Sequence, residues 1–359
     1  MNILLFSRIL AKTGVGNYVK SLSEELVNQG HTVTVVSSTK ELVLDERVDF
    51  VCMPAASNNP FRIFGVVRRL HKLIKENDIE VVHCHHRKAA LIMRLYNVFH
   101  RIPFVYTLHL ANIPSDFLHR KMTFVGKRAI AISKEVEESL VNDLRISPAK
   151  ITNIPNGVKP MVPLTHAQIE LQKAEWSIPQ GKYVLTLHSR IDAVKNHLLM
   201  VEAIARLSPQ AKDKIVVVCS GEQSGAYYEQ VAARIAELGL QDIFRFVGWC
   251  DTVRVLGISD FLFLPSLKEG FPLSVAEAFL LRVPVARTKT AGFEEQKYCL
   301  PLDVSDPQPI VDIIEDLVAN GKEQYKERIE AAYTLAMEEF TIEVMTARNV
   351  SVYKEVCAK

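Results

Sequence analysis

Short apolar runs alternate with amphipathic segments through the first half of the chain. Runs rich in β-branched residues predict strands, and segments with apolar residues every three or four positions predict helices. The predicted strands are residues 3–6, 31–37, 50–53, 80–83, 104–107, 129–132 and 151–154. The predicted helices are residues 17–29, 62–77 and 88–99, with a further helix capped by Ser133.

The same alternation restarts after residues 159–180, a proline-bearing segment with one predicted helix that we interpret as a linker. Its predicted strands are residues 183–187, 214–219, 244–247, 260–264 and 284–286. Its predicted helices are residues 196–205, 227–238, 273–280, 309–320, 323–338 and 341–356. Because such alternation builds parallel sheets covered by helices, we expect an α/β fold with two doubly wound, Rossmann-like domains. We place these domains at residues 1–165 and 181–340, followed by a terminal helix within residues 341–359.

The bulk composition agrees with two domains and narrows the class of protein. The 359 residues exceed what one hydrophobic core normally organises, and 48% hydrophobic with 23% charged residues is an ordinary globular composition. A nucleic-acid binder normally clusters more Lys and Arg than a net charge of +2 suggests, so we expect no nucleic-acid partner. No apolar run approaches the ~18 residues that span a bilayer, and the chain begins without a secretory-signal pattern, so we expect a cytoplasmic protein.

Cysteines and histidines do not follow the spacing of a metal site. The six cysteines are scattered, which predicts free thiols. His83-Cys84-His85-His86 cannot all converge on one ion, because alternate residues of a strand point to opposite faces. We therefore expect neither a metal nor another cofactor.

The segment from Leu264 to Ala278 combines a predicted strand, a loop with Gly and Pro, and a predicted helix. A helix N-terminus suits a phosphate group. Glu269 lies in the loop and Glu277 about one turn into the helix, and a carboxylate can accept hydrogen bonds from two adjacent hydroxyls. The pattern fits a ligand made of a sugar, two phosphates and a ribose. An ordinary loop with a solvated Glu269 and a capping Glu277 explains the same pattern.

The order Pro-Ser, two residues, Glu269-Gly270-Phe271-Pro272, four residues and Glu277 resembles the paired-glutamate signature of glycosyltransferase family 4, whose members are retaining enzymes with the GT-B fold. The resemblance implies that Glu269 contacts the donor sugar and that Glu277 binds the ribose hydroxyls. It also implies that the turn between them contacts the sugar and diphosphate through Gly270, Phe271, Pro272, Leu273 and Ser274.

Further matches to this family occur in the expected order along the chain. Arg190 and Lys195 resemble the cations that grip the diphosphate and stabilise the leaving group, although two exposed loop cations would look the same. His109 resembles a strand-end histidine that faces the donor sugar across the interdomain cleft, although a lone histidine is more often structural.

Three further segments match positions of the family. Gly14 and Gly16 match a glycine-bearing first loop that lets the ligand approach the backbone, although a strand-to-helix turn also explains them. Trp249 and Cys250 follow the strand that meets the nucleobase, and we expect the backbone of one of them to contact the base. The family's terminal helix, which crosses back to the N-terminal domain, matches residues 341–356.

The resemblance implies retaining transfer of a hexose-type sugar from a nucleotide sugar, with UDP favoured by family frequency. It implies a glycan or lipid-linked acceptor in surface polysaccharide or lipopolysaccharide biosynthesis. The segment Thr290-Ala291-Gly292-Phe293-Glu294-Glu295 departs from the family pattern, so the contacts of that loop are not predicted. The alternatives are a GT-B nucleotide-sugar epimerase and a non-catalytic protein that binds a nucleotide sugar or glycan.

Two basic segments of the first half, residues 62–75 and 119–128, give it a cationic surface. A lipid-linked acceptor at the inner membrane face would explain them through peripheral membrane contact. A solvated basic surface explains them equally well.

Overall fold

A computed structural model describes residues 1–111 and 113–358. The chain divides into two compact units. The first unit combines Met1–Lys159 with Glu339–Lys359, and the second unit is Pro160–Glu338. We expected the segment 159–180 to be a linker, but its residues 160–180 belong to the second unit.

The strands of the first unit form a parallel sheet in the order β3-β2-β1-β4-β5-β6-β7 within the described residues. These strands are β1 (Asn2–Phe6), β2 (Thr32–Ser37), β3 (Asp49–Cys52), β4 (Val81–Cys84), β5 (Phe104–Leu108), β6 (Arg128–Ala131) and β7 (Ile151–Asn153). The register pairs Ile3 with Val33 on one side and with Val81 on the other. The buried character of β1 on both faces explains its continuous apolar sequence.

The strands of the second unit form another parallel sheet in the order β10-β9-β8-β11-β12-β13, again within the described residues. They are β8 (Tyr183–His188), β9 (Ile215–Ser220), β10 (Phe244–Phe246), β11 (Phe261–Leu264), β12 (Val285–Thr288) and β13 (Leu300–Leu302). Both sheets reverse their strand order once, as doubly wound sheets do. The prediction of an α/β fold with two Rossmann-like sheets is confirmed.

Helices connect and cover these strands. In chain order they are α1 (Gly14–Asn28), α2 (Pro60–Glu76), α3 (Arg87–Tyr96), α4 (Phe117–Lys121), α5 (Lys134–Glu138), α6 (His166–Glu175), α7 (His197–Arg206), α8 (Pro209–Asp213), α9 (Ala226–Glu237), α10 (Thr252–Leu256), α11 (Leu273–Leu280), α12 (Gln308–Asn320), α13 (Lys326–Glu339) and α14 (Ile342–Ala358).

Helix α14 belongs to the core of the first unit, although residues 160–338 separate it in sequence from the rest of that core. Its Met345, Tyr353 and Val356 are buried in the same cluster as Leu22 of α1 and Ile3 of β1. Complete burial of side chains of this size typically contributes about 1.5–3 kcal/mol each, so α14 is an integral part of that unit. Lys359, the last residue of the predicted terminal segment, lies outside the described residues.

Several boundaries differ from prediction for local reasons. Helix α1 begins at Gly14 instead of residue 17, because the hydroxyl of Thr13 accepts a hydrogen bond from Gly16 N at 3.2 Å and caps it there. Ser133 caps α5 as predicted, accepting from Val136 N. Strand β13 was not predicted, since three residues centred on Pro301 carry no alternation to detect.

Candidate active site

Two loops of the second unit meet where the order of its sheet reverses, between β8 and β11. Ligands of doubly wound sheets bind at the carboxyl ends of the strands at this point. The loop after β8 carries Arg190 and Lys195, and the loop after β11 carries Glu269. Leu267 N donates a hydrogen bond to Val194 O at 2.7 Å, so the two loops are joined directly.

Lys195 and Glu269 form an ion pair, with 2.6 Å between Nζ and Oε1. The side chains are only 17% and 9% exposed, so water screens the pair little. Asp192 holds the backbone of Lys195 in place. Its carboxylate accepts a hydrogen bond from Lys195 N at 3.1 Å and caps the short turn Ala193–Lys195. The structure thus brings together one predicted cation and one predicted carboxylate.

Arg190 is placed differently from Lys195. Its guanidinium lies 3.1 Å from the carboxylate of Asp192, and its side chain is 56% exposed. Exposed ion pairs of this kind contribute about 0–1 kcal/mol, so Arg190 can exchange this partner for an incoming anion at little cost.

The predicted turn leads directly into α11. Gly270, Phe271 and Pro272 are buried, and Leu273 and Ser274 are the first residues of the helix. Pro272 at the N-cap offers no side-chain hydrogen bond. The first N–H groups of a helix have no intrahelical partner, so this end of α11 suits an anionic ligand.

A buried arginine is linked to this turn through hydrogen bonds. Arg287, at the end of β12, is fully buried, and its guanidinium donates to the carbonyls of Thr290 and Ala291 and to the side chain of Gln296. Gln296 in turn donates from Nε2 to Pro272 O at 3.0 Å. Arg287 therefore holds the loop after β12 by hydrogen bonds, and Gln296 joins this loop to the turn.

Gly292 lies in the same loop, in the segment whose contacts were not predicted. Its φ is +81°, and a Cβ placed there would approach the Cα of Phe271 to 3.2 Å. Only glycine combines this backbone conformation with such a close approach.

Glu277 projects from α11 beside the loop that follows β10. Thr252 Oγ1 lies 3.5 Å from Glu277 Oε2 and 3.2 Å from His188 Nε2. Burial raises the pKa of the Glu277 carboxyl from 4.5 to about 7, and the charge of Asp251 acts in the same direction. A ligand that donates hydrogen bonds to the Glu277 carboxylate would stabilise its charged form.

Trp249 and Cys250 precede this threonine in the same loop. Trp249 is exposed, and the Cys250 thiol donates to Val247 O at 3.2 Å. The loop is anchored where Gly221 N donates to Gly248 O at 3.0 Å. Both residues therefore lie within three positions of a side chain that contacts Glu277.

The remaining predicted residues belong to the first unit. His109 follows β5, and its Nε2 lies 3.3 Å from His85 Nδ1. Burial and the neighbouring histidines hold the pKa of His109 well below its usual range, so the ring is neutral at pH 7.

The two predicted glycines of α1 have different environments. A Cβ at Gly16 would lie 1.9 Å from Ala11 O, so packing within the protein accounts for this glycine. A Cβ at Gly14 would meet no atom within 4 Å. The prediction that both lie in a loop was wrong, since both lie in the first turn of α1.

A buried network beside His109 was not predicted. His83 is fully buried between two hydroxyl groups, with Nδ1 2.6 Å from Tyr353 Oη and Nε2 2.6 Å from Thr107 Oγ1. Tyr353 lies on α14, so this helix helps to hold the end of β4. Tyr353 is 270 residues from His83 in sequence, and no local pattern signals the contact.

Among the described residues, no three His, Cys, Asp or Glu side chains are grouped to hold a metal ion. None of their helices is both long and apolar enough to cross a lipid bilayer.

Comparison with known proteins assigns both units. The family model for Glycosyltransferase Family 4 matches residues 12–161, and the model for Glycosyl transferases group 1 matches residues 168–335. The chain is a glycosyltransferase of family 4 with the GT-B fold. Membership makes it a transferase that acts on nucleotide sugars.

Individual relatives of this glycosyltransferase are distant. It is 23% identical to N-acetyl-alpha-D-glucosaminyl L-malate synthase of Bacillus anthracis over 79% of the chain and 77% of that enzyme. It is 27% identical to UDP-Gal:alpha-D-GlcNAc-diphosphoundecaprenol alpha-1,3-galactosyltransferase of Escherichia coli over 58% of the chain and 57% of that enzyme. A crystal structure of a glycosyltransferase from Rickettsia africae ESF-5 superimposes with a TM-score of 0.88 at 24% identity, covering 99% of this chain and 98% of that one.

Proposed function

We propose that this glycosyltransferase transfers a hexose-type sugar from a UDP-linked donor to a glycan or lipid-linked acceptor, with retention at the anomeric carbon. The observation that carries the proposal is the largely buried Lys195–Glu269 pair beside the N-terminus of α11. Two positive groups, the ammonium of Lys195 and the N-terminal end of α11, support the stabilisation of a leaving diphosphate. The galactosyltransferase of Escherichia coli supports UDP and a hexose by its own specificity.

In this proposal the predicted residues divide the binding of the donor between them. Glu277 accepts hydrogen bonds from the ribose hydroxyls, and the backbone of Trp249 or Cys250 contacts the base. Glu269 binds the sugar and keeps Lys195 oriented. Neutral His109 offers the sugar a hydrogen bond, and Gly14 leaves the N-terminus of α1 accessible to the ligand.

The proposed reaction is attack from the leaving-group face. The acceptor oxygen forms a bond to the anomeric carbon as the bond to the diphosphate breaks on the same face, and a β-phosphate oxygen takes the acceptor proton. Lys195, Arg190 and the end of α11 stabilise the negative charge that develops on the diphosphate. Arg190 would bind the diphosphate after its exposed ion pair with Asp192 breaks.

NMR assignment of the product tests this reaction. We expect the product anomer to match that of the donor, whereas an inverted product would refute the mechanism. A panel of nucleotide sugars scored by thermal shift identifies the donor, because a ligand that binds only the folded state raises the melting temperature. Donor consumption with and without acceptor separates transfer from epimerisation, since an epimerase converts donor without any acceptor.

We also propose a cytoplasmic enzyme of surface polysaccharide or lipopolysaccharide synthesis that contacts the inner membrane face peripherally. Helix α2 supports the membrane contact, because it combines basic residues with the exposed side chains of Phe61 and Phe64. Co-sedimentation with anionic liposomes tests this contact. Absence of pelleting at low salt would refute it.

A further inference from the structure

The first unit contains a cavity of about 760 Å³. It lies at the carboxyl ends of β4 and β5 and beside the end of β1, where the order of the sheet reverses. Part of its lining is apolar and includes Val15, Leu91, Leu108, Ile113, Pro114 and Met122. Such a wall has no groups that pair with the hydroxyls of a sugar or another polar body.

The rest of the lining is cationic. Arg8, Arg87 and Lys88 line the cavity, and within residues 1–111 and 113–358 none of them forms a salt bridge. Burial and the charge of Arg8 lower the pKa of Lys88. Arg87 and Lys88 also occupy the first turn of α3, the positive end of the helix dipole, where cations are unfavourable. An anion in the cavity would relieve this concentration of positive charge.

Two polar features point into the same region. His86 at the N-cap of α3 makes no side-chain hydrogen bond to the helix, so the first N–H groups of α3 are not capped by it. His85 also lines the cavity and is 2% exposed, and among the described residues its Nε2 has no hydrogen-bond partner. A buried polar atom without a hydrogen-bond partner is destabilising, and a bound ligand can supply the missing partner.

The cavity is apolar at its edge as well as along its wall. Leu110 and Met122, which both line it, are 37% and 43% exposed. An apolar chain that enters the cavity can therefore continue outward over an apolar surface.

We propose that this cavity binds a lipid phosphate, a phosphate or diphosphate esterified to a long apolar chain, with the phosphate at Arg8, Lys88 and the N-terminus of α3. The apolar wall receives the first part of the chain. The inference rests on the proposed function in one respect, because it takes this lipid phosphate to be the lipid part of the acceptor, which also carries the hydroxyl that receives the sugar.

Calorimetric titration of the full-length protein with three probes tests the class of ligand. The probes are farnesyl diphosphate, farnesol and inorganic pyrophosphate, each below its aggregation concentration. Farnesyl diphosphate should bind at least about tenfold more tightly than either fragment, because only it engages both the cations and the apolar wall. Equal affinity for pyrophosphate would replace the proposal with a free-phosphate site, and equal affinity for farnesol would replace it with an apolar pocket.

Variants locate the site. Arg8→Gln and Lys88→Gln should each weaken farnesyl diphosphate at least about tenfold, as expected for a lost hydrogen bond to a charged group. Arg8 is exposed, so its substitution leaves the fold intact. Arg94→Gln, at the other end of α3, is the matched control and should bind like the wild type. An unchanged affinity in both test variants would overturn the assignment.

One further variant tests whether farnesyl diphosphate binds the donor site instead of this cavity. Lys195→Met should keep the affinity for farnesyl diphosphate, and its loss there would mean that the probe binds the donor site instead. Binding of farnesyl diphosphate without any sugar transfer would uphold this inference and refute the proposed function. Sugar transfer without binding of farnesyl diphosphate would do the reverse.

Discussion

Replacing Glu277 by Gln should abolish a proton release that accompanies UDP binding to the wild-type enzyme. Burial raises the pKa of the free Glu277 carboxyl to about 7. Ribose hydroxyls that donate to the carboxylate favour its charged form and lower this pKa. At about pH 7 the free enzyme holds roughly half a proton on Glu277, and binding should release it. Below this pH the affinity should fall, approaching about tenfold per pH unit.

The same carboxyl makes stability depend on pH. Its pKa rises from 4.5 in the unfolded chain to about 7 in the folded protein, so the folded state holds more protons between these values. The free energy of unfolding should therefore fall as pH rises through this window. At about 1.4 kcal/mol per pH unit, the total effect is about 3 kcal/mol, and Glu277→Gln should lack it.

Calorimetry in buffers of different ionisation enthalpy counts the released protons. UDP itself titrates near neutrality, so the difference between the wild type and Glu277→Gln isolates the carboxyl. Glu202→Gln is the matched control, because its bond to Arg234 lowers the pKa of Glu202 and leaves it ionised at neutral pH. Equal proton release and equal UDP affinity in the wild type and Glu277→Gln would refute the role of Glu277.

Three further substitutions test the rest of the site. Lys195→Met should lower kcat/KM by about a hundredfold or more, while Lys322→Met, which breaks an ion pair at the start of β11, should leave it nearly unchanged. Equal losses in the two lysine variants would contradict the role in leaving-group stabilisation. Gly292→Ala should raise the donor KM, because the added Cβ would press on the backbone of Phe271 in the turn. Gly181→Ala is the control, since Gly181 has a similar φ of +75° but no atom near its Cβ position. It should lower the free energy of unfolding, measured with urea, by only about 1 kcal/mol. Gln296→Leu should lower the free energy of unfolding by about 1–3 kcal/mol, since it removes the hydrogen bond that Gln296 accepts from the buried guanidinium of Arg287, and an unchanged melting temperature would argue against that arrangement.

Much of the fold follows from local pattern. Buried parallel strands such as β1 and β9 are continuous apolar runs, and amphipathic helices such as α2 show one apolar face, so both were predictable in position and type. Boundaries followed capping chemistry that apolar periodicity does not display. For this reason α1 begins three residues before its predicted start, at the residue that follows its cap Thr13.

Candidate site residues could be chosen from the sequence, but their contacts could not. Lys195 and Glu269 are 74 residues apart, and only the adjacency of β8 and β11 brings them together. Thr252 and Arg287 carried no signal of their own, because a threonine that starts a short helix and an arginine that ends a strand are common. Their roles depend on burial beside Glu277 and beneath the turn at Pro272, which sequence periodicity does not specify.

The position of α14 in the core of the first unit has a consequence for biosynthesis. The second unit is continuous in sequence and its last residue is synthesised before α14, whereas the first unit still lacks Tyr353 and the rest of this helix at that stage. Because domains fold as units during synthesis, the unit made second should reach its native state first. The first unit would wait as a partly open sheet with an uncovered apolar surface, and during that interval it should be the part of the chain most dependent on chaperones.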